Sequence, residues 1–110
     1  MKEPIEPTGD ELLRMLGALA NPHRLRIVAA LATGRNYVSQ LARDMGMSRP
    51  LLHMHLQRLE AAGLVSGHHE VSEDGKAMRY IEVRPLVLRL TPELIAVATQ
   101  TLSRADDERK

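Results

Sequence analysis

The amino-acid sequence predicts a mainly α-helical protein with one small β-hairpin, in the order α-α-α-α-β-β-α. Three observations carry that expectation. Aliphatic residues recur at helical spacing from Thr8 to Ala62. The period then changes to alternation on either side of Glu73-Asp74-Gly75-Lys76, where Asp-Gly is a strong hairpin signal. Aromatic residues make up only 2% of the chain, with no Phe or Trp, while 44% is hydrophobic. The core must therefore be Leu, Ile, Val, Met and Ala, as in helices packed by aliphatic ridges. At 110 residues the chain has room for one domain, 1–110, and hardly two.

Residues 1–7 read as a flexible lead. Thr8 followed by Glu11 is a capping-box pattern that opens a first helix over 9–20. Leu12, Leu16 and Leu19 share one face of it, with Leu13 and Met15 beside them. Asn21-Pro22 opens a second helix, with Asn as N-cap and Pro in the first helical position. Its inner face is expected to hold Leu25, Val28 and Ala29, flanked by Ile27 and Leu31, with Arg24 and Arg26 outside and His23 in solvent. Thr33-Gly34 closes it.

The stretch 37–62 organises the rest. Asn36 or Ser39 is the expected cap of a third helix carrying Val38, Leu41, Ala42 and Met45, which Gly46 ends. Ser48 caps a fourth helix, and Pro50 falls in its first turn, where a missing N–H costs nothing. Leu52, Leu56 and Leu59 define its buried face. Two helices joined by so short a turn fit a helix-turn-helix, whose second helix enters the DNA major groove. Strands over Leu64–Val71 and Ala77–Val83 then form a wing, 64–84. Pro85 ends it, and residues 86–90 fit either strand or loop. Thr91-Pro92-Glu93 starts a last helix, 91–103, apolar around much of its circumference, and the charged tail 104–110 is expected to fray.

Net charge is only +1, but ten basic and six acidic side chains lie between Asn21 and Leu90. That balance suits a phosphate-facing middle. N-terminal residues of a recognition helix reach base edges. The DNA-contact set is therefore Ser48, Arg49, Pro50, Leu51, His53, Met54, Gln57 and Arg58, with Lys76 and Arg79 of the wing as phosphate contacts. Arg suits guanine, Gln suits adenine, and Leu or Met suits a thymine methyl. His55, at an edge of the buried face, reads as a packed, hydrogen-bonded residue.

Three segments in this order resemble the ArsR-type (ArsR/SmtB) winged helix-turn-helix regulators. They are Leu19-Ala20-Asn21-Pro22-His23-Arg24-Leu25-Arg26-Ile27, Val38-Ser39-Gln40-Leu41-Ala42 with Gly46-Met47-Ser48, and His55 through Val65. The resemblance implies a homodimeric repressor whose first and last helices form the dimer interface. Leu12, Leu16, Leu94, Val97, Ala98, Thr101 and Leu102 are the residues expected there. The family usually has small hydroxyl residues where Leu51 and His53 stand, so a more apolar base readout is expected here.

Many such regulators sense metal through Cys pairs on the third helix or Asp/His/Glu sets on the last. This chain has no Cys, and no His in the last helix, so neither metal site nor cofactor is expected. His68-His69-Glu70 is the only dense set of ligand types, but neighbours on a strand face opposite ways. No nucleophile stands with a base and no Gly-rich loop cradles phosphate, so the chain is not expected to be an enzyme. Partners are then double-stranded DNA and a twin subunit, with no membrane. The acidic, proline-bearing start is unlike a signal peptide, and the expected location is the cytoplasm. The signal would be a small molecule, a partner protein or protein abundance alone. The competing reading is a winged-helix protein–protein interaction module docking through the apolar last helix.

Overall fold

The computed structural model describes residues 3–103; Met1, Lys2 and the tail 104–110 lie outside the described residues. The elements are α1 (Gly9–Leu19), α2 (Pro22–Leu31), β1 (Asn36–Tyr37), α3 (Val38–Met45), α4 (Arg49–Ala61), β2 (Val65–Val71), β3 (Ala77–Val83) and α5 (Pro92–Thr99). The wing is part of a three-stranded antiparallel sheet of order β1-β3-β2.

Side-chain caps start four of the five helices where the sequence placed them. Thr8 Oγ1 accepts the Glu11 N–H at 3.2 Å while Glu11 Oε1 accepts the Thr8 N–H at 2.8 Å. Asn21 Oδ1 accepts from the His23 and Arg24 N–H groups. Ser48 Oγ and Thr91 Oγ1 accept from Leu51 and Leu94. Each satisfies an N–H that the helix cannot. Helix α3 is the exception: Tyr37 precedes it and makes no side-chain cap bond, so neither Asn36 nor Ser39 caps it. Asn36 instead belongs to β1, paired with Ile81 of β3.

The core is aliphatic and centres on α4. Leu52, Leu56 and Leu59 are fully buried, with Ile27 and Leu31 of α2, Leu41 and Ala42 of α3, Val65 and Ile81 of the sheet, and Ala18 of α1. The inner face of α2 differs from the expected one. Ile27, Leu31 and Arg24 point inward, and Leu25 is 53% exposed. Burying Arg24 is tolerable because both of its inward hydrogen bonds are satisfied. Nε donates to the Ala18 carbonyl at 2.6 Å and Nη1 to His55 Nδ1 at 3.1 Å. Hydropathy alone puts an arginine outside; the partners that bring this one in come from two other helices. His55 is thereby packed and hydrogen-bonded, as expected.

Helix α1 lies against α5, and the contact is close. Gly9 N–H donates to Thr101 Oγ1 at 2.9 Å, and the Asp10 carboxylate accepts from the backbone N–H and hydroxyl of Ser103. A Cβ at Gly9 would stand 2.4 Å from the Ala98 carbonyl oxygen and 2.9 Å from the Leu102 backbone. Gly9→Ala is therefore expected to cost about 1–3 kcal/mol, the usual penalty for overfilling a packed contact; a thermal melt checks it, and an unchanged midpoint would contradict it.

Residues 3–7 do not run free of the fold. Pro4 bridges Val87, and Ile5 N–H donates to the Val87 carbonyl at 2.8 Å. Apart from that bridge, residues 86–90 are a loop. Helix α5 is shorter than expected, ending at Thr99 with a turn through Gln100 and Thr101.

Candidate nucleic-acid interface

Helix α3 stops at Gly46, whose backbone is left-handed (φ 64°, ψ 33°), a conformation glycine adopts without strain. The chain reverses there, Met47 N–H closing on the Ala42 carbonyl at 2.9 Å. Ser48 caps α4 two residues after Gly46. The four-residue spacing of Leu52, Leu56 and their neighbours then turns the opposite face of α4 outward. Ser48, Arg49, Pro50, Leu51, His53, Met54, Gln57 and Arg58 are all exposed there. The wing rises beside them. Between α3, the start of α4 and the wing runs an open groove of about 920 Å3. Arg43, Arg49, Lys76 and Arg79 line it, with His53 and His69, and none of the described residues lining it is a carboxylate. A concave, one-sign surface focuses field lines on a polyanion.

The two wing cations differ. Lys76 is exposed near the hairpin turn. Arg79 is only 25% exposed in its side chain and folds back on α4, with Nη2 2.5 Å from Glu60 Oε1 and Nη1 3.2 Å from His53 Nδ1. It therefore ties the wing to the recognition helix and is not a free cation at the wing tip.

The outer side of the sheet carries a second polar cluster. Glu70 binds Arg35 at 2.5 Å and His68 at 2.6 Å, and Arg35 lies 4.3 Å from the Tyr80 ring centre. The hydrogen bond from Arg35, and then that from His68, holds the Glu70 carboxyl below its ordinary range. Tyr80 in turn meets Tyr37 edge-on at 6.0 Å, so both aromatic residues of the chain pin the sheet to β1. His68 belongs to this cluster while His69 lines the groove. The two imidazoles thus diverge, as strand geometry requires.

The proteins this chain resembles fit that geometry. The family model described as "Bacterial regulatory protein, arsR family" matches residues 21–66, the segment from α2 through the start of β2. The HTH-type transcriptional regulator CmtR of Mycobacterium tuberculosis is 37% identical over 86 residues, 78% of this chain and 70% of that protein. The chain belongs to the ArsR family. The HTH-type transcriptional regulator MJ0229 of Methanocaldococcus jannaschii is 31% identical over 85 residues, covering 77% of this chain and 88% of that one. Among solved structures, the homodimeric winged helix-turn-helix DNA-binding domain of Mb0332 from Mycobacterium bovis superposes with a TM-score of 0.61 at 26% identity. That match covers 83% of this chain and 74% of that one. This ArsR-family chain is thus a winged helix-turn-helix regulator. No helix among the described residues is long and apolar enough to cross a membrane.

Val38, Ser39 and Gln40 stand at the start of α3, and none of them offers a thiolate. Sequence reasoning missed Ser39, Arg43 and His69 as parts of the groove. A signal was available for two of them: Ser39 and Arg43 are four apart, on the side of α3 opposite Leu41 and Ala42. His69 needed the sheet register, which pairs it with Arg79.

The expected dimer set divides. Leu12 and Ala98 are buried within one chain, and Thr101, though exposed, accepts the Gly9 N–H. Val97 (65%) and Leu102 remain exposed, joined by Leu13 (62%) and Ile95, which the expected set left out. Leu94 and Leu16 are half-buried.

Proposed function

We propose that this protein is a homodimeric transcriptional repressor that binds an inverted-repeat operator in the cytoplasm, with α4 in the major groove and the wing beside it. The observation that supports this most is the cation-lined groove free of carboxylates beside the exposed first turns of α4. Arg49 stands at the first helical position, where a side chain reaches base edges. Lys76, near the hairpin turn, reaches the phosphate backbone, adding affinity without sequence information. The exposed apolar side chains of α1 and α5 are the surface on which a second copy packs, bringing two recognition helices to successive major-groove faces. Repression follows where the operator overlaps the site used by polymerase.

Fluorescence anisotropy on promoter fragments, taken through a salt series, tests the reading. Steep loss of binding with salt is expected. Arg49→Ala is expected to weaken specific binding by about 1–3 kcal/mol and relax selectivity at one position, while Lys76→Ala weakens all sequences alike and lowers the salt slope by about one. Operator affinity untouched by Arg49→Ala would remove Arg49 from the interface. A protein that ignores duplex DNA in dilute buffer, yet captures another protein through α5, would favour the interaction-module reading.

A further inference from the structure

Arg79 crosses the sheet to reach α4 through space that a glycine leaves open. A Cβ on Gly67 would stand 3.1 Å from Arg79 Nη2, 3.2 Å from its Nε and 2.9 Å from Ile81 Cδ1. The backbone at Gly67 is not left-handed, so this glycine supplies room and not a turn. The guanidinium then bridges Glu60 and His53.

That bridge fixes a chain of hydrogen-bond polarity. A guanidinium can only donate, so His53 Nδ1 accepts, and the neutral ring carries its proton on Nε2. His53 Nε2 lies 3.4 Å from the side-chain nitrogen of Gln57. Two N–H groups cannot bond each other, so the hydrogen-bond network requires the Gln57 amide turned over, with its oxygen toward the ring. Its NH2 is then turned outward, while the oxygen that would complete a two-bond contact to adenine is held toward the ring. A donor pair facing the major groove meets two acceptors on guanine, O6 and N7, but on adenine only N7, beside an amino group that repels it.

We propose that Arg79 is a positioning residue, acting through His53 to orient Gln57 as a donor that selects guanine over adenine at one operator position. This rests on α4 reading the major groove, and it replaces both the phosphate role of Arg79 and the adenine preference expected of Gln57. Glu60 holds the far side of the same guanidinium.

Selection of binding fragments from a randomised duplex pool tests it, with wild type, Gln57→Ala, Arg79→Met and Glu60→Gln compared after a melt confirms each is folded. Wild type is expected to favour guanine over adenine by about tenfold at one position in each half-site, at the scale of a good base contact. Gln57→Ala should flatten that position alone. Arg79→Met should admit adenine there while other positions hold, and Glu60→Gln should do so more weakly; the latter keeps the test open if Arg79→Met does not fold. In DNA-free wild type, nitrogen NMR in mildly alkaline buffer should place the His53 proton on Nε2. A proton on Nδ1 overturns the proposal alone. So does an Arg79→Met variant that weakens every sequence equally with a shallower salt slope, the behaviour of a phosphate contact. A wild type that binds no duplex overturns the proposal together with the reading beneath it.

Discussion

Val97→Asp is expected to turn the proposed dimer into a monomer and to lower affinity for the full operator by about 10²–10⁴-fold, the advantage that tethering a second binding module confers. Val97 is 65% exposed in the protomer, so a carboxylate there barely disturbs the fold of one chain. Leu94 and Val97 line a recess with Pro7 and Ala98, together with Glu6, Thr8, Glu93 and Thr101, and Ile95 is exposed on the same helix. In a two-fold interface each substitution appears twice, and two buried carboxylates without partners oppose association. Sedimentation and anisotropy on one half-site against the full operator separate the effects. The half-site affinity should hold while the full-site affinity falls. A variant that stays dimeric, or a monomer that binds the full operator as wild type does, would place the interface elsewhere.

Removing the Arg24 side chain is the second large effect. Arg24→Ala is expected to destabilise the fold by about 3 kcal/mol, because two buried acceptors lose their donor at roughly 1–3 kcal/mol each. The acceptors are the Ala18 carbonyl, near the end of α1, and His55 Nδ1 on α4. For a domain of this size the melting midpoint should fall by roughly 10–20 °C. Arg24→Lys should recover little, since one ammonium cannot reproduce a planar two-direction donor. A midpoint within a few degrees of wild type would show that water takes over the guanidinium's bonds.

The same pair makes stability depend on pH. Burial, and then the charge of Arg24, holds the His55 imidazole below its ordinary value of about 6.5. The folded state therefore binds fewer protons than the unfolded chain just below that pH. The contribution of His55 is complete above about pH 6.5 and is lost as pH falls from there toward the lowered folded value. His55→Gln should remove that part of the acid loss. The lowered carboxyls of Glu70 and Glu11 act in a more acid window, below their ordinary value of 4.5.

Much of the fold was legible because its signals are local. Thr8, Asn21, Ser48 and Thr91 each cap within three residues of themselves, and Leu52, Leu56 and Leu59 face inward by helical period alone. The groove face of α4 was legible for the same reason, being the complement of that buried stripe. The misreadings share one cause: a partner on another element decided the outcome. Arg24 is inside because Ala18 and His55 meet it there. Asn36 leaves its capping role because Ile81, forty-five positions away, pairs with it. A strand of two residues is too short to show a period.

The amino-acid sequence by itself determined the order of the elements, their caps, the aliphatic core and the exposed face of the recognition helix, since each follows from residue chemistry within one or two turns of backbone. Only the tertiary structure decided that Arg79 meets Glu60 and His53 of α4, that Arg43 and His69 share the groove, and that Leu12 and Ala98 are buried within one chain. Those outcomes depend on which side chains arrive together when the sheet folds against α4 and α1 against α5. Nothing in the spacing of one segment records the position of another.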